Sequence, residues 1–188
     1  MSCRVFFESL SADGGVSERA SLIDGAHPRA ECEAESVSGH SNGVVADGEY
    51  VHRYVFSPLH VHDGKVVTAV FSDAKDKGLS CERGDSLVPT DDLHARARVQ
   101  VERFNTNRRQ TQPERSYVGA ISAQVRTVRA LKAGEQRVYS VYDTALGENV
   151  FHVDVFEIPS ALKALSKAEQ KLERLRLAEA FTGEPVSV

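Results

Sequence analysis

The sequence predicts an α+β fold, a mostly antiparallel sheet with two helices packed on it. Three observations predict it. Segments of strand and helix character follow in the order strands, helix, strands, helix, without a regular βαβ alternation. Asp63-Gly64 separates two short apolar runs, and both positions of a two-residue hairpin turn want positive φ. Two segments open with helix-start chemistry, Thr90-Asp91-Asp92 and Ser166-Lys167-Ala168-Glu169, the second a capping box. No Gly-rich phosphate fingerprint is present, which argues against a doubly wound nucleotide fold.

Each element has its own local reason. Residues 2–10 alternate, with Cys3, Val5 and Phe7 on one side, and read as a strand. Residues 11–48 are rich in Ser, Gly, Ala and Glu and hold no sustained period. The chain therefore divides into an acidic Ser/Gly-rich N-terminal arm or long loop over 1–48 and a single α+β domain over 49–188. In that domain EYVHRYVF (49–56) suits a pleated surface, and Pro58 ends it or marks an edge. Residues 59–62 and 65–71 read as short strands around Asp63-Gly64, and 79–83 as a third. Leu93, Ala97, Val101 and Phe104 share one face of a helix that starts after Thr90 and runs to about residue 106. A polar loop over 105–116 follows. Residues 117–131 read as strand with an irregularity at Gly119, and 136–142 and 150–158 as strands, the last stopped by Pro159. The final helix spans about 167–181 with Leu172, Leu175 and Ala178 inward, and Gly183 and Pro185 end it.

The 188 residues, 41% hydrophobic and 27% charged, have ordinary globular composition. No run of about 18 apolar residues exists, so no membrane-spanning helix is expected. The first fifteen residues lack the apolar core of a secretory signal. Cys3, Cys32 and Cys81 are odd in number and widely spaced, with no CxxC pair. That predicts neither a disulfide framework nor a cysteine-rich zinc site, and a reducing cytoplasm as the compartment. The net charge of -4 is unevenly spread. Residues 1–49 carry nine acids against three arginines, and 94–132 carry nine bases against Glu102 and Glu114. The two segments either pair with each other or leave the basic one to meet an anionic partner.

Four constellations could carry chemistry. His60, His62, His152 and Asp154 would form a metal half-site if their strands were neighbours, but HxH is common by chance and no metal site is predicted. Ser80 and Cys81 alternate on a strand, so at most one of them faces a given site, with a histidine as base. Asp143 ends an apolar strand, a place for a functional acid or a turn cap. Arg96, Arg103, Arg108, Arg109, Arg115, Arg126 and Arg129 form the candidate anion-binding set, since guanidinium groups bind phosphate and carboxylate bidentately. No cofactor-binding motif is spelled out.

Three stretches, RxxxxPxH (Arg53 to His60), FxxxxxxGLS (Phe71 to Ser80) and VYDTxxxxNxxHxD (Val141 to Asp154), together resemble small bacterial proteins without an assigned activity. The resemblance covers roughly residues 50–158 and implies no catalytic role. It directs attention to Arg53, His60, Ser80, Asp143, Asn149 and His152.

Two functions are therefore expected. The first is a binding or interaction module that recognises an anionic partner, whether nucleic acid, nucleotide or acidic protein, through the Arg-rich stretch 96–132. The alternative is a small nucleotide- or NAD-directed transferase or hydrolase with a catalytic set of Arg53, His60, Ser80, Asp143 and His152, a histidine serving as general base.

Overall fold

Alternating apolar residues on five segments, and a sixth at the C-terminal end, build one antiparallel sheet. A computed structural model describes residues 1–12, 18–26 and 29–186. In chain order the helices are α1 (Cys3–Ala12), α2 (Arg19–Ala26), α3 (Arg29–Glu33), a 3-10 helix (Thr68–Lys75), α4 (Asp91–Asn107), α5 (Val125–Arg129), α6 (Pro159–Leu162) and α7 (Lys167–Ala180). The strands are β1 (Tyr50–Ser57), β2 (Val61–His62), β3 (Lys65–Val66), β4 (Leu79–Gly84), β5 (Ser116–Gln124), β6 (Lys132–Ala133), β7 (Gln136–Arg137), β8 (Tyr139–Tyr142), β9 (His152–Glu157) and β10 (Thr182–Val186). The main sheet runs β10-β5-β1-β4-β9-β8, and β2-β3 and β6-β7 form small hairpins.

Period-two alternation sorts the side chains between the two faces. One face carries Val51, Val55, Leu79, Cys81, Ile121, Val141, Val153 and Val155, all buried. It packs with Val70 and Phe71 of the 3-10 helix, Val128 of α5, Leu162 of α6 and Leu177 of α7. The other face is covered from two sides. Helix α4 buries Leu93, His94 and Ala97 over the β5 side. Helix α1 lays Phe7 against Tyr142 and Phe156 of β8 and β9. The strip between them, over β1, β4 and the start of β9, carries polar side chains.

The α+β class and the antiparallel sheet agree with the sequence reading. The count of two helices does not, since eight are present among the described residues. Residues 2–10 form a helix rather than a strand. The reason is the spacing of Cys3, Phe7 and Leu10, which puts one face at 2%, 7% and 7% exposure while Val5 stands 52% exposed. Within 11–48, α2 buries Ala20 and Ile23, and α3 places Cys32 in a disulfide with Cys3. The spacing of the cysteines predicted no disulfide framework, and one disulfide is present among the described residues. Cys81 is the free cysteine, and it is buried. Residues 13–17 and 27–28 lie outside the described residues.

Asp63-Gly64 does turn β2 into β3, with φ of 50° and 74°. The expected strand beyond it gives way to the 3-10 helix, because Val70, Phe71 and Ala74 are buried at helical spacing. The irregularity at Gly119 is a bulge opposite Val55 and Phe56, where Gly119 takes φ 147°. Strand β5 ends at Gln124, and the expected strand continues as α5. Helix α7 has its capping box at Ser166 and Glu169, but its inward face is Glu173 and Leu177. Leu172 and Leu175, expected inward, are exposed. Gly183 and Pro185 lie in β10, an edge strand on β5, where a proline is tolerated.

No helix among the described residues is long and apolar enough to cross a membrane.

Candidate functional site

The polar strip owes its shape to a split in the sheet. Strands β1 and β4 are paired only from Tyr50–His52 to Glu82–Gly84. Beyond His52, β1 stays with β5, while β4 stays with β9. Arg53 bridges the opening. Its Nη1 donates to the Ser80 carbonyl at 2.8 Å, and its Nη2 reaches Asp73 at 3.4 Å. The Arg53 side chain is 10% exposed and its Nε has no hydrogen-bond partner among the described residues. A buried donor without an acceptor is uncommon and costs free energy until something fills the place.

A cleft of about 810 Å³ opens above this split. Its floor is Arg53, Ser80 and Glu82, and one face of α4 forms its wall through Arg96, Gln100, Arg103 and Asn107. Asn149 and His152 close one side. Tyr54, Phe56, Val99, Phe104 and Leu146 supply the apolar and aromatic surface.

Glu82 is the anchored carboxylate of the cleft. It is 3% exposed and takes Arg96 through Nε at 2.9 Å and Nη2 at 2.6 Å. Asn149 donates to its other oxygen at 2.8 Å. Arg96 also lies over the Phe151 ring, 4.9 Å from its centroid. This arginine is thus committed on two sides. Arg103 is different, for its pair with Glu148 is about 70% exposed on each side. A surface pair of that kind contributes roughly 0–1 kcal/mol, so Arg103 can turn to a ligand at little cost.

His152 is held from behind. Its Nδ1 lies 3.1 Å from the Thr144 carbonyl and 3.0 Å from Thr144 Oγ1. A carbonyl only accepts, so Nδ1 carries the proton and Nε2 keeps its lone pair. Thr144 Oγ1 in turn donates to Asp154 Oδ2 at 2.9 Å, and Ser80 Oγ donates to Asp154 Oδ1 at 3.2 Å. The result is a connected His152–Thr144–Asp154–Ser80 network with the basic nitrogen of His152 unpartnered among the described residues. Such a nitrogen can take or return a proton.

The sequence-predicted catalytic residues are only partly brought together. Arg53, Ser80 and His152 line the cleft. His60 does not. It is 4% exposed, its Nδ1 accepts from the Phe56 N–H at 3.2 Å, and burial pushes its pKa down to about 4. It pins the turn after β1. Asp143 also lies elsewhere, buried among Ser36, Ser41 and Arg83. Burial raises its pKa, against the lowering effect of the Ser36 hydroxyl. The residues that sequence reasoning passed over are Glu82, Thr144 and the Asp154 carboxylate as a hydrogen-bond hub. Their signal was the two-residue spacing of Ser80 with Glu82 and of His152 with Asp154, which puts each pair on one face.

The anion-binding set is dispersed. Arg96 and Arg103 reach the cleft. Arg108 bonds Glu114 and the Gln112 carbonyl. Arg115 stacks on Phe104 at 3.5 Å. Arg129 pairs with Glu33 and Asp47, so part of the acidic head does meet the basic middle. Arg109 and Arg126 are exposed.

His60 and His62 are not beside His152 and Asp154, because β9 lies between β4 and β8. Among the described residues, no group of three or more His, Cys, Asp or Glu is arranged to hold a metal ion. Comparison with protein-family models, with curated proteins and with solved structures finds no match to this chain.

Proposed function

We propose that the cleft binds a small anionic molecule and that His152 moves a proton on it, as in a nucleotide- or NAD-directed transfer or hydrolysis. The observation that carries this reading is the meeting of Arg53, Arg96, Arg103 and His152 on one cleft of about 810 Å³. That size suits a small ligand. Arg53 supplies a cation to the cleft lining, its guanidinium held by the Ser80 carbonyl and Asp73. Arg103 offers a guanidinium that a phosphate can draw from a weak surface pair. The aromatic wall of Tyr54, Phe56 and Phe104 suits a flat ring beside the charged group. Ser80 Oγ, directed to Asp154, is the hydroxyl nearest to a nucleophile in this set, and His152 is the base.

Calorimetric titration with inorganic pyrophosphate, ATP and NAD tests the reading. The wild type is expected to bind at least one of them. Arg103→Gln is expected to weaken that binding about 10-fold or more, the worth of one hydrogen bond to a charged group. His152→Gln is expected to leave binding largely intact while removing turnover of the bound probe. No heat with any of the three, or binding unaffected by Arg103→Gln, would remove the proposal.

A second reading keeps the broader anionic partner. The exposed guanidinium groups of Arg109 and Arg126 favour it. Anisotropy of labelled oligonucleotides across a salt series is its test. A slope of about 0.7–0.9 per phosphate contact, reduced in Arg109→Glu/Arg126→Glu, is the result it requires. For either reading, the Cys3–Cys32 disulfide favours an oxidising compartment over the cytoplasm expected from cysteine count.

A further inference from the structure

Thr144, which fixes the tautomer of His152, is flanked by two residues that an N-terminal strap over 34–49 holds. On one side, Ser36 Oγ donates to Asp143 Oδ2 at 2.7 Å, and Ser41 Oγ donates to the same oxygen. On the other side, Ser38 Oγ donates to the Ala145 carbonyl. None of the three serines lines the cleft, so they act on His152 through the backbone of residues 143–145.

The strap is itself fastened at both ends. Arg83 grips its C-terminal end, donating to the Gly43 carbonyl at 2.5 Å, the Val44 carbonyl at 2.8 Å and both oxygens of Glu49 at 2.6 Å. Just before its N-terminal end Glu33 accepts from the Val141 N–H at 2.8 Å and pairs with Arg129 and Arg137. One residue before Glu33, Cys32 is bonded to Cys3 of α1, and both are almost wholly buried. Helix α1 is in turn seated on the sheet by Phe7 against Tyr142, the neighbour of Asp143.

We propose that Ser36, Ser38 and Ser41 are positioning residues for His152, and that the Cys3–Cys32 disulfide makes this positioning dependent on redox state. The inference rests on the reading of His152 as the acid–base group. In the oxidised protein the strap is tight, residues 143–145 are fixed, and His152 holds its Nδ1–H tautomer with Nε2 toward the cleft. A dithiol supplies two electrons and two protons to the S–S bond, leaves two cysteine thiols, and is itself oxidised to a disulfide. Helix α1 is then no longer tied to α3, and the strap keeps only the contacts of Glu33 at its N-terminal end.

The test is a long-range proton–nitrogen correlation spectrum of the His152 ring in the labelled full chain. It is recorded oxidised, reduced, and as Ser36→Ala/Ser38→Ala/Ser41→Ala. The oxidised wild type is expected to show Nδ1–H alone, and the triple variant and the reduced wild type a mixture of both tautomers. Amide exchange at Val37, Thr144 and Ala145 is expected to accelerate about 10-fold or more on reduction. Thr144→Val, which keeps the carbonyl that accepts from Nδ1, serves as the reference in which the Nδ1–H form persists. A single Nδ1–H form in the reduced wild type would overturn the redox dependence, and the same form in a folded triple variant would overturn the positioning role. If the triple variant does not fold, Ser38→Ala alone decides the positioning role by the same two outcomes. The spectrum needs no ligand, so failure of the anion-binding reading leaves it decisive, and loss of pyrophosphate binding in Arg103→Gln leaves the tautomer unmoved.

Discussion

Acid should destabilise this protein through two buried histidines. His52 is 2% exposed, with Nδ1 2.7 Å from Ser122 Oγ, and His60 is 4% exposed with Nδ1 accepting the Phe56 N–H. Burial pushes each pKa down from 6.5 to about 4. For His52 the field of Glu82 opposes the shift, while for His60 the nearby Arg53 and Arg115 add to it. A proton on His60 Nδ1 would also turn an acceptor into a donor facing another donor. Because the folded pKa lies below the unfolded one, the stabilisation is whole above about pH 6.5 and is lost as pH falls toward 4. The full difference is about 3 kcal/mol per histidine, and about 2 kcal/mol of it is gone by pH 5. Two such groups remove about 4 kcal/mol, a large part of the 5–15 kcal/mol that holds a typical domain. The raised pKa values of Asp143 and Glu157 act in the opposite direction and trim this loss. Urea unfolding at pH 7, 6 and 5 is the assay. Stability should fall steadily over that range, and His60→Gln, whose amide can still accept from Phe56, should fall about half as steeply. A flat profile between pH 7 and 5, or an unchanged slope in the variant, would show that these histidines do not set the acid stability.

Three further outcomes are expected. Reducing the Cys3–Cys32 bond, which spans a sequence separation of 29, should cost about 3.5 kcal/mol by loop closure, read as a lower urea midpoint with a phosphine reductant present. Glu157 is buried, its Oε1 lies 3.9 Å from Arg174 Nη1 without a hydrogen bond among the described residues, and burial raises its pKa against the field of Arg174. Its ionisation therefore costs stability as pH rises, so Glu157→Gln should raise the melting temperature at pH 8 and give no gain at pH 4. Gly78 has φ +96°, and a Cβ there would lie 2.5 Å from Phe156 Cζ, so Gly78→Ala should destabilise by about 2 kcal/mol or more in urea unfolding.

What the sequence disclosed was local. Helices α4 and α7 were legible because Thr90 and Ser166 announce their caps within three residues. The Asp63-Gly64 turn was legible because it needs positive φ at both residues. The face of α7 was not, since Leu172 and Leu175 look apolar enough to be inside, yet the sheet and the 3-10 helix take Glu173 and Leu177. The N-terminal helices were hidden because Val5 and Phe6 interrupt the Cys3–Phe7–Leu10 stripe. What holds them is a disulfide and a contact with Tyr142, both distant in sequence. The cleft was half legible. Arg53, Ser80 and His152 were found as polar groups on apolar strands, but the split between β1 and β4 that joins them is a property of the whole sheet. Asp143 was misplaced for the same reason, as its partners Ser36 and Ser41 are more than a hundred residues away. The Arg-rich stretch looked continuous in the chain, and the fold scatters it between the cleft, Glu114, Phe104 and the acidic head.

In the function proposed here, Arg53, Arg96, Arg103 and His152 form one anion-binding, proton-transferring cleft. The most direct measurement is a titration of the labelled wild type with ATP, followed at the His152 ring nitrogens and the arginine Nε–H groups. Saturable shifts are expected at His152, Arg53 and Arg103, with Arg109 and Arg126 little changed. Shifts confined to Arg109 and Arg126, or none at millimolar ATP, would contradict that function.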